Sequence, residues 1–242
     1  MRRCVFAMAA SLLTVAPAFA ADLARRAPTP YSGGPIAVTD WTGLYLGGHV
    51  GWGWAETGYF GTVTDWSLHQ DTNGFLGGGQ VGLNYQMDNW VVGLEADITA
   101  TDLSGGTSDP AVPDSRFDAG INWLATLTAR AGYDFSGVLV YAKGGVAFAD
   151  QDLTWTAGGE SATADTRRTG WTAGGGVEVA LSPTWSARLD YAYMDFGADD
   201  TVFTGSVAPF TLAVDQEVQA LKLGVNYRFA PVPPVPPASR PY

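Results

Sequence analysis

The chain has 242 residues, with 24 Asp and Glu against 13 Lys and Arg, and a single cysteine. That acid excess excludes the basic footprint that binding a phosphate backbone requires, so nucleic acid is not an expected partner. Beyond residue 20 no apolar run approaches the roughly 20 residues of a membrane helix. This excludes a helical membrane protein and is silent about a barrel, whose signal per segment is weak.

Residues 1–20 have the three parts of a secretory signal peptide: Arg2 and Arg3, an apolar core from Val5 to Val15, and a small-x-small site at Ala18-Phe19-Ala20. Cleavage is expected between Ala20 and Ala21. Cys4 would leave with the leader, so no disulfide and no thiolate metal site is expected in the mature chain. Losing Arg2 and Arg3 leaves 11 basic residues against 24 acids, a net charge of −13. Residues 21–40, rich in Pro, Gly and Ala, read as a flexible periplasmic arm.

From 41 to 229 the sequence alternates with period two, the signature of strands. In the first segment Leu44, Leu46, Val50, Trp52 and Trp54 alternate with Tyr45, Gly47, His49, Gly51 and Gly53. Phe75, Val81, Leu83 and Tyr85 carry the second. Trp90, Val92, Leu94, Ala96 and Ile98 carry the third. Ile121, Trp123, Ala125, Leu127, Ala129, Ala131 and Tyr133 carry the fourth. The fifth sets Val138, Val140, Ala142, Val146 and Phe148 against Tyr141, Lys143 and Gly145. Trp171, Ala173, Val177, Val179 and Leu181 define the sixth. Trp185, Ala187, Leu189, Tyr191 and Tyr193 define the seventh. Leu221, Leu223, Val225, Tyr227 and Phe229 close the series. Runs of about 9 to 12 residues suit tilted strands crossing a bilayer. Strands of soluble sandwiches are shorter.

Short connections at 87–89, 134–137 and 182–184 alternate with long polar stretches at about 55–73, 101–120, 150–168 and 197–215. That is the short-turn, long-loop rhythm of an outer-membrane barrel. The expected fold is all-β: an eight-stranded antiparallel up-and-down transmembrane barrel, integral to the cell outer membrane, with both termini periplasmic. The long stretches hold 14 acids and only three basic residues, Arg116, Arg167 and Arg168, which places most of the charge outside. Aromatics on the apolar parity form two expected girdles. Trp52, Trp54, Phe75, Trp123, Phe148, Trp171 and Tyr193 lie on the outer side. Tyr85, Trp90, Tyr133, Trp185, Tyr227 and Phe229 lie on the periplasmic side. Trp41 falls on the opposite parity and precedes the first strand. The Pro-rich stretch 230–242 reads as an extended periplasmic tail.

Several of these segments resemble the alphaproteobacterial outer-membrane surface-protein family with an OmpA-like barrel, often called porin family proteins. The resemblance rests on Asp40-Trp41-Thr42-Gly43-Leu44-Tyr45-Leu46-Gly47-Gly48, Tyr141-Ala142-Lys143-Gly144-Gly145-Val146-Ala147 and Gly170-Trp171-Thr172-Ala173-Gly174-Gly175-Gly176-Val177-Glu178. Leu189-Asp190-Tyr191-Ala192-Tyr193-Met194-Asp195-Phe196-Gly197 and the closing Val225-Asn226-Tyr227-Arg228-Phe229 complete it. It spans about 40–229 and implies a structural, surface-exposed role in the envelope. It also implies a last strand read by the barrel-assembly machinery. The family usually ends at the closing aromatic, here Phe229, whereas this chain runs on for 13 residues. The tail is therefore a candidate tether to peptidoglycan or a periplasmic partner.

One motif misleads. Gly77-Gly78-Gly79-Gln80-Val81-Gly82 fits a dinucleotide fingerprint, with Asp102 some twenty residues on, but a strand follows it where the fingerprint needs a helix. His49 and His69 are too far apart for a metal site, and no nucleophile elbow or EF-hand spacing is present. No catalytic, cofactor or metal residues are therefore expected. The constellation that stands out is lumenal: Glu95, Asp97, Arg130, Lys143, Glu178, Arg188, Asp190 and Lys222, four acids and four bases. An eight-stranded barrel is just wide enough for side chains to fill, and charges buried there must pair. The expected function is thus a plugged barrel supporting envelope integrity, in contact with outer-membrane lipid and lipopolysaccharide. The alternative is a small-diameter diffusion porin.

Overall fold

A computed structural model describes residues 40–61, 67–108, 114–207 and 210–229. The leader 1–20 with its cleavage site at Ala20 and Ala21, the arm up to residue 39 and the tail 230–242 lie outside the described residues. Within them, period-two alternation becomes eight antiparallel strands: β1 Gly43–Gly61, β2 Ser67–Met87, β3 Trp90–Thr107, β4 Arg116–Asp134, β5 Val138–Ala157, β6 Glu160–Ala180, β7 Trp185–Gly205 and β8 Phe210–Arg228. Each strand pairs with its sequence neighbour, and β8 returns to β1, closing the ring.

The register sets the shape. From His49 the paired residues run through Gly78, Thr99 and Leu124 to Ala149 on β5. In the other direction they run through Gly224, Arg188 and Glu178 to Leu139 on the same strand. That stagger of ten residues on eight strands corresponds to a tilt of about 40° and an interior that side chains can fill.

The strands join tightly at one end, the turn end. Asp88 and Ser136 adopt positive φ there, conformations that Asp and Ser tolerate in short turns. Trp41 and Phe229 lie at this same end. The Phe229 amide donates to the Leu44 carbonyl at 2.8 Å.

The opposite end, the loop end, corrects the sequence reading. The stretches expected to be long loops are mostly strand. β5 and β6 run without a break from Val138 to Ala180 except for a turn at Gly158 and Gly159, both with positive φ. Strands of 18 to 21 residues at this tilt make a wall about 50 Å tall. That is roughly twice the apolar band of an outer-membrane barrel.

Alternation persists along this wall, but its polarity reverses. Near the turn end the outward face is apolar: Leu44, Leu46, Val50 and Trp52 on β1, and Trp90, Leu94 and Ile98 on β3 are exposed. Farther along, Glu56 and Asp102 take the outward positions, while Ala55, Tyr59 and Leu103 turn inward. The loop half therefore tends to the polarity of a soluble barrel, with acids on its outer face and apolar layers inside. Ladder irregularities at Ile121/Trp123 on β4 and Asp195/Ala198 on β7 shift the parity there. As a result Ile121, expected on the apolar outer face, is buried inside beside Leu124.

Candidate functional site: the filled lumen

Inward positions of the turn half carry the charged constellation. All eight expected side chains are at most 6% exposed, and they meet in one network. Glu95 on β3 is its centre. Arg188 grips it with Nη1–Oε2 at 2.5 Å and Nη2–Oε1 at 3.0 Å. Lys143 Nζ lies 3.0 Å from Oε1, the Tyr45 hydroxyl donates to Oε2 at 2.7 Å, and Arg130 stands 3.7 Å away. Arg188 also pairs with Asp190. Asp190 in turn accepts from Tyr141 at 2.6 Å and forms an ion pair with Lys143 at 3.2 Å.

Arg130 lies between two tyrosines, 4.8 Å from the Tyr45 ring centre and 4.9 Å from that of Tyr141. It donates to Asn84 at 2.8 Å and Glu178 at 3.2 Å. Ser186 and Asn226 complete Glu178. A second branch joins Lys222 to Asp97 at 2.8 Å. His49 lies 3.4 Å from Asp97, with Gln80 at 2.7 Å and Thr99 at 3.0 Å from its ring nitrogens. His69 is exposed on β2, far from this histidine. A network this heavily bridged and buried is stiff, because removing any member strands its partners.

Sequence reading restricted the constellation to ionisable side chains. Tyr45, Tyr141, Asn84, Gln80, Thr99, Ser186 and Asn226 sit on the same inward parity, and that parity was the signal for them. Arg228 was likewise passed over. It packs 4.4 Å over the Trp41 ring and donates to the Asp40 carbonyl at 3.1 Å. Trp41, with Val91, Leu139 and Tyr141, closes the turn end of the lumen.

The misleading glycine motif has a spatial role on β2. A methyl group at Gly82 would overlap the Tyr45 hydroxyl and ring, and one at Gly78 would overlap the Ile98 carbonyl.

Toward the loop end the interior becomes layered. Ala55, Leu76, Leu124, Met194, Phe196 and Val218 belong to one apolar layer. Tyr59, Phe117, Leu153, Phe203 and Val214 belong to another beyond it. Burial pushes the Tyr59 hydroxyl above the usual tyrosine range, so it stays protonated and donates to Gln70 Oε1 at 3.2 Å.

The expected girdle residues lie on the outside. On the turn side Tyr85, Trp90 and Trp185 are exposed, and rings touch edge-on between Trp90 and Tyr133, Trp185 and Tyr227, and Tyr227 and Phe229. Phe135, in the β4–β5 turn, adds a ring against Tyr133. On the other side Trp52, Trp54, Phe75, Phe148 and Trp171 are exposed. Tyr193 stacks at a tilt on Trp171, and the Trp123 indole donates to Asp150 at 3.1 Å.

A closed ring of eight strands, apolar outside over one half and ion-paired within, defines an integral β-barrel of the outer membrane. The chain belongs to the outer membrane protein β-barrel domain family, which it matches over residues 6–229. It is 28% identical to the 31 kDa outer-membrane immunogenic protein of Brucella melitensis, over 95% of this chain and 100% of that protein. It is 31% identical to the 22 kDa outer membrane protein of Rhizobium leguminosarum, over 78% of each. Among solved structures it resembles the outer membrane protease OmpT from Escherichia coli, with TM-score 0.50 and 6% identity, over 77% of this chain and 97% of that one. That likeness concerns the fold alone.

Proposed function

We propose that this outer-membrane barrel is a structural, surface-exposed protein without a conducting pore and without catalytic activity. The observation that carries this reading is Glu95, 1% exposed and held by three cations and a tyrosine in the middle of the lumen. An ion crossing the barrel would have to displace that network and then two apolar layers. Orientation follows from the same asymmetry. The turn end and both chain termini face the periplasm, and the acid-faced loop half stands outside, as short turns and long outer elements do in such barrels. The aromatic rings at the two edges of the apolar band sit at the headgroup levels.

The exposed half is then the part that meets lipopolysaccharide and the surroundings, in keeping with relatives named as immunogenic. Phe229 at the end of the last strand is the cue for the assembly machinery, and the tail after it is a periplasmic tether.

Single-channel recording of the refolded barrel in planar bilayers tests the central claim. The expected result is no steady conductance, and a stable open level would replace this reading with a diffusion pore. Antibodies against residues of the loop half should label intact cells. Labelling only after outer-membrane permeabilisation would overturn the orientation.

A further inference from the structure

Between the two apolar layers of the loop half lies a polar layer. On β1 it is Thr57, between Ala55 and Tyr59. On β8 it is Gln216, between Val218 and Val214. On β5 it is Gln151, between Ala149 and Leu153. Gln70 on β2 joins it, since both Gln70 and Gln216 pair with Thr57. Arg168 on β6 pairs with Ala149 and is 1% exposed.

The hydrogen-bond inventory of this layer is incomplete. Gln151 and Gln216 use neither amide nitrogen nor amide oxygen, Gln70 leaves Nε2 unused and Arg168 leaves Nε unused. Unspent donors thus sit on four nitrogens and unspent acceptors on two oxygens. The rest of the Arg168 guanidinium donates to neutral groups: the carbonyls of Val214 at 2.8 Å and Gly197 at 3.3 Å, and the Thr201 hydroxyl at 3.3 Å. It makes no ion pair among the described residues, unlike its exposed neighbour Arg167, which faces Asp150 at 3.5 Å. Asp199 and Asp215 act on it from beyond ion-pair distance.

We propose that this layer is a binding site for a small monovalent inorganic anion of chloride size. Arg168 Nε and the amide nitrogens of Gln151, Gln216 and Gln70 are its donors. Water would satisfy the neutral amides, but it supplies no countercharge to a guanidinium closed in by apolar layers above and below. A buried charge with no ion-pair partner in contact is costly, and a surplus of N–H donors is the chemistry that attracts an anion. The apolar neighbours on either side, Phe196 and Met194 in one cluster and Tyr59 and Phe203 in the other, offer no polar group to a larger, hydrated ion, which favours a compact one. The β6–β7 ladder is irregular beside the site. It has no pairs between Thr163 and Trp171, where Arg168 reaches across to Gly197.

The test is chloride-35 NMR line width, titrated on the full chain folded in detergent. Broadening beyond that of empty micelles is expected for the wild type and for the surface variant Arg167→Gln, and its loss for Arg168→Gln. Gln151→Glu places a carboxylate inside the layer as an internal countercharge. It should also abolish the broadening, which keeps the test decisive if Arg168→Gln does not fold. A wild type that broadens no more than empty micelles would mean the layer holds water only and would overturn the proposal. Broadening that persists in either interior variant would place the chloride elsewhere and overturn it equally.

Discussion

Arg188 on β7 and Glu95 on β3 meet across the lumen in a two-point contact, although 93 residues separate them in the chain. Four other residues bear on these two, so the pair ties opposite sides of the wall together. Replacing Glu95 by Gln keeps the shape and removes the charge that Arg188, Lys143 and Arg130 share. Breaking a buried pair from one side costs about 3–5 kcal/mol. Urea unfolding of the refolded barrel in lipid vesicles should show a loss of that size. A change under about 1 kcal/mol would mean that the network is hydrated and weak.

Gly82 tests the same network from the wall. Gly82→Ala pushes a methyl into Tyr45 and so moves the hydroxyl away from Glu95. Overpacking of this kind typically costs about 1–3 kcal/mol. The Tyr45→Phe change in the Gly82→Ala background should cost less than in wild type, because the hydrogen bond is already lost. Equal costs, measured by the same unfolding, would show that Tyr45 never depended on Gly82.

The reversal of polarity along the wall predicts where the bilayer stops. Leu94→Arg, in the apolar band, should destabilise the lipid-embedded barrel by about 2–4 kcal/mol. Glu56→Arg, outward on β1 past the reversal, should change stability by less than about 0.5 kcal/mol. If the two substitutions cost the same in vesicles, the bilayer does not end at that boundary.

Gly197 carries the β7 irregularity with φ of 63° and open space where a side chain would project. Its constraint is therefore backbone conformation rather than packing. Gly197→Val should cost about 1–2 kcal/mol, and Gly197→Asn clearly less, since Asn tolerates this region. Equal losses for both would point to packing instead.

How far the sequence carried is clearest from particular residues. Leu44, Val92, Leu127 and Leu223 were placed on the outer face by parity alone and are exposed there, because one buried face fixes register strongly. Parity also placed Glu95, Lys143 and Asp190 inside, but their partnership depends on the stagger around the ring, which no single segment encodes. The loop half was misread for a physical reason. Asp150, Asp152 and Asp165 face out of real strands, yet a search for apolar-out alternation scores such acids as loop. The same strands carry Leu153 and Ala164 inward, and alternation of the opposite sign would have revealed them. Ile121 was misplaced because a bulge changes parity without a mark in the composition.

The closure of β8 against β1 bears on how the chain reaches this form. Tyr45 pairs with Arg228, a separation of 183 residues, and the ladder runs from there to Gly61 and Leu212. Those bonds return nothing until the chain between them is in place, so the loop-closure entropy falls due before its largest reward. Until the ring shuts, β1 and β8 are open edges that invite pairing with another chain. The vulnerable moment in the life of this protein is therefore its assembly, and a catalyst that holds the two edges until they meet would govern yield far more than any strengthening of the finished wall.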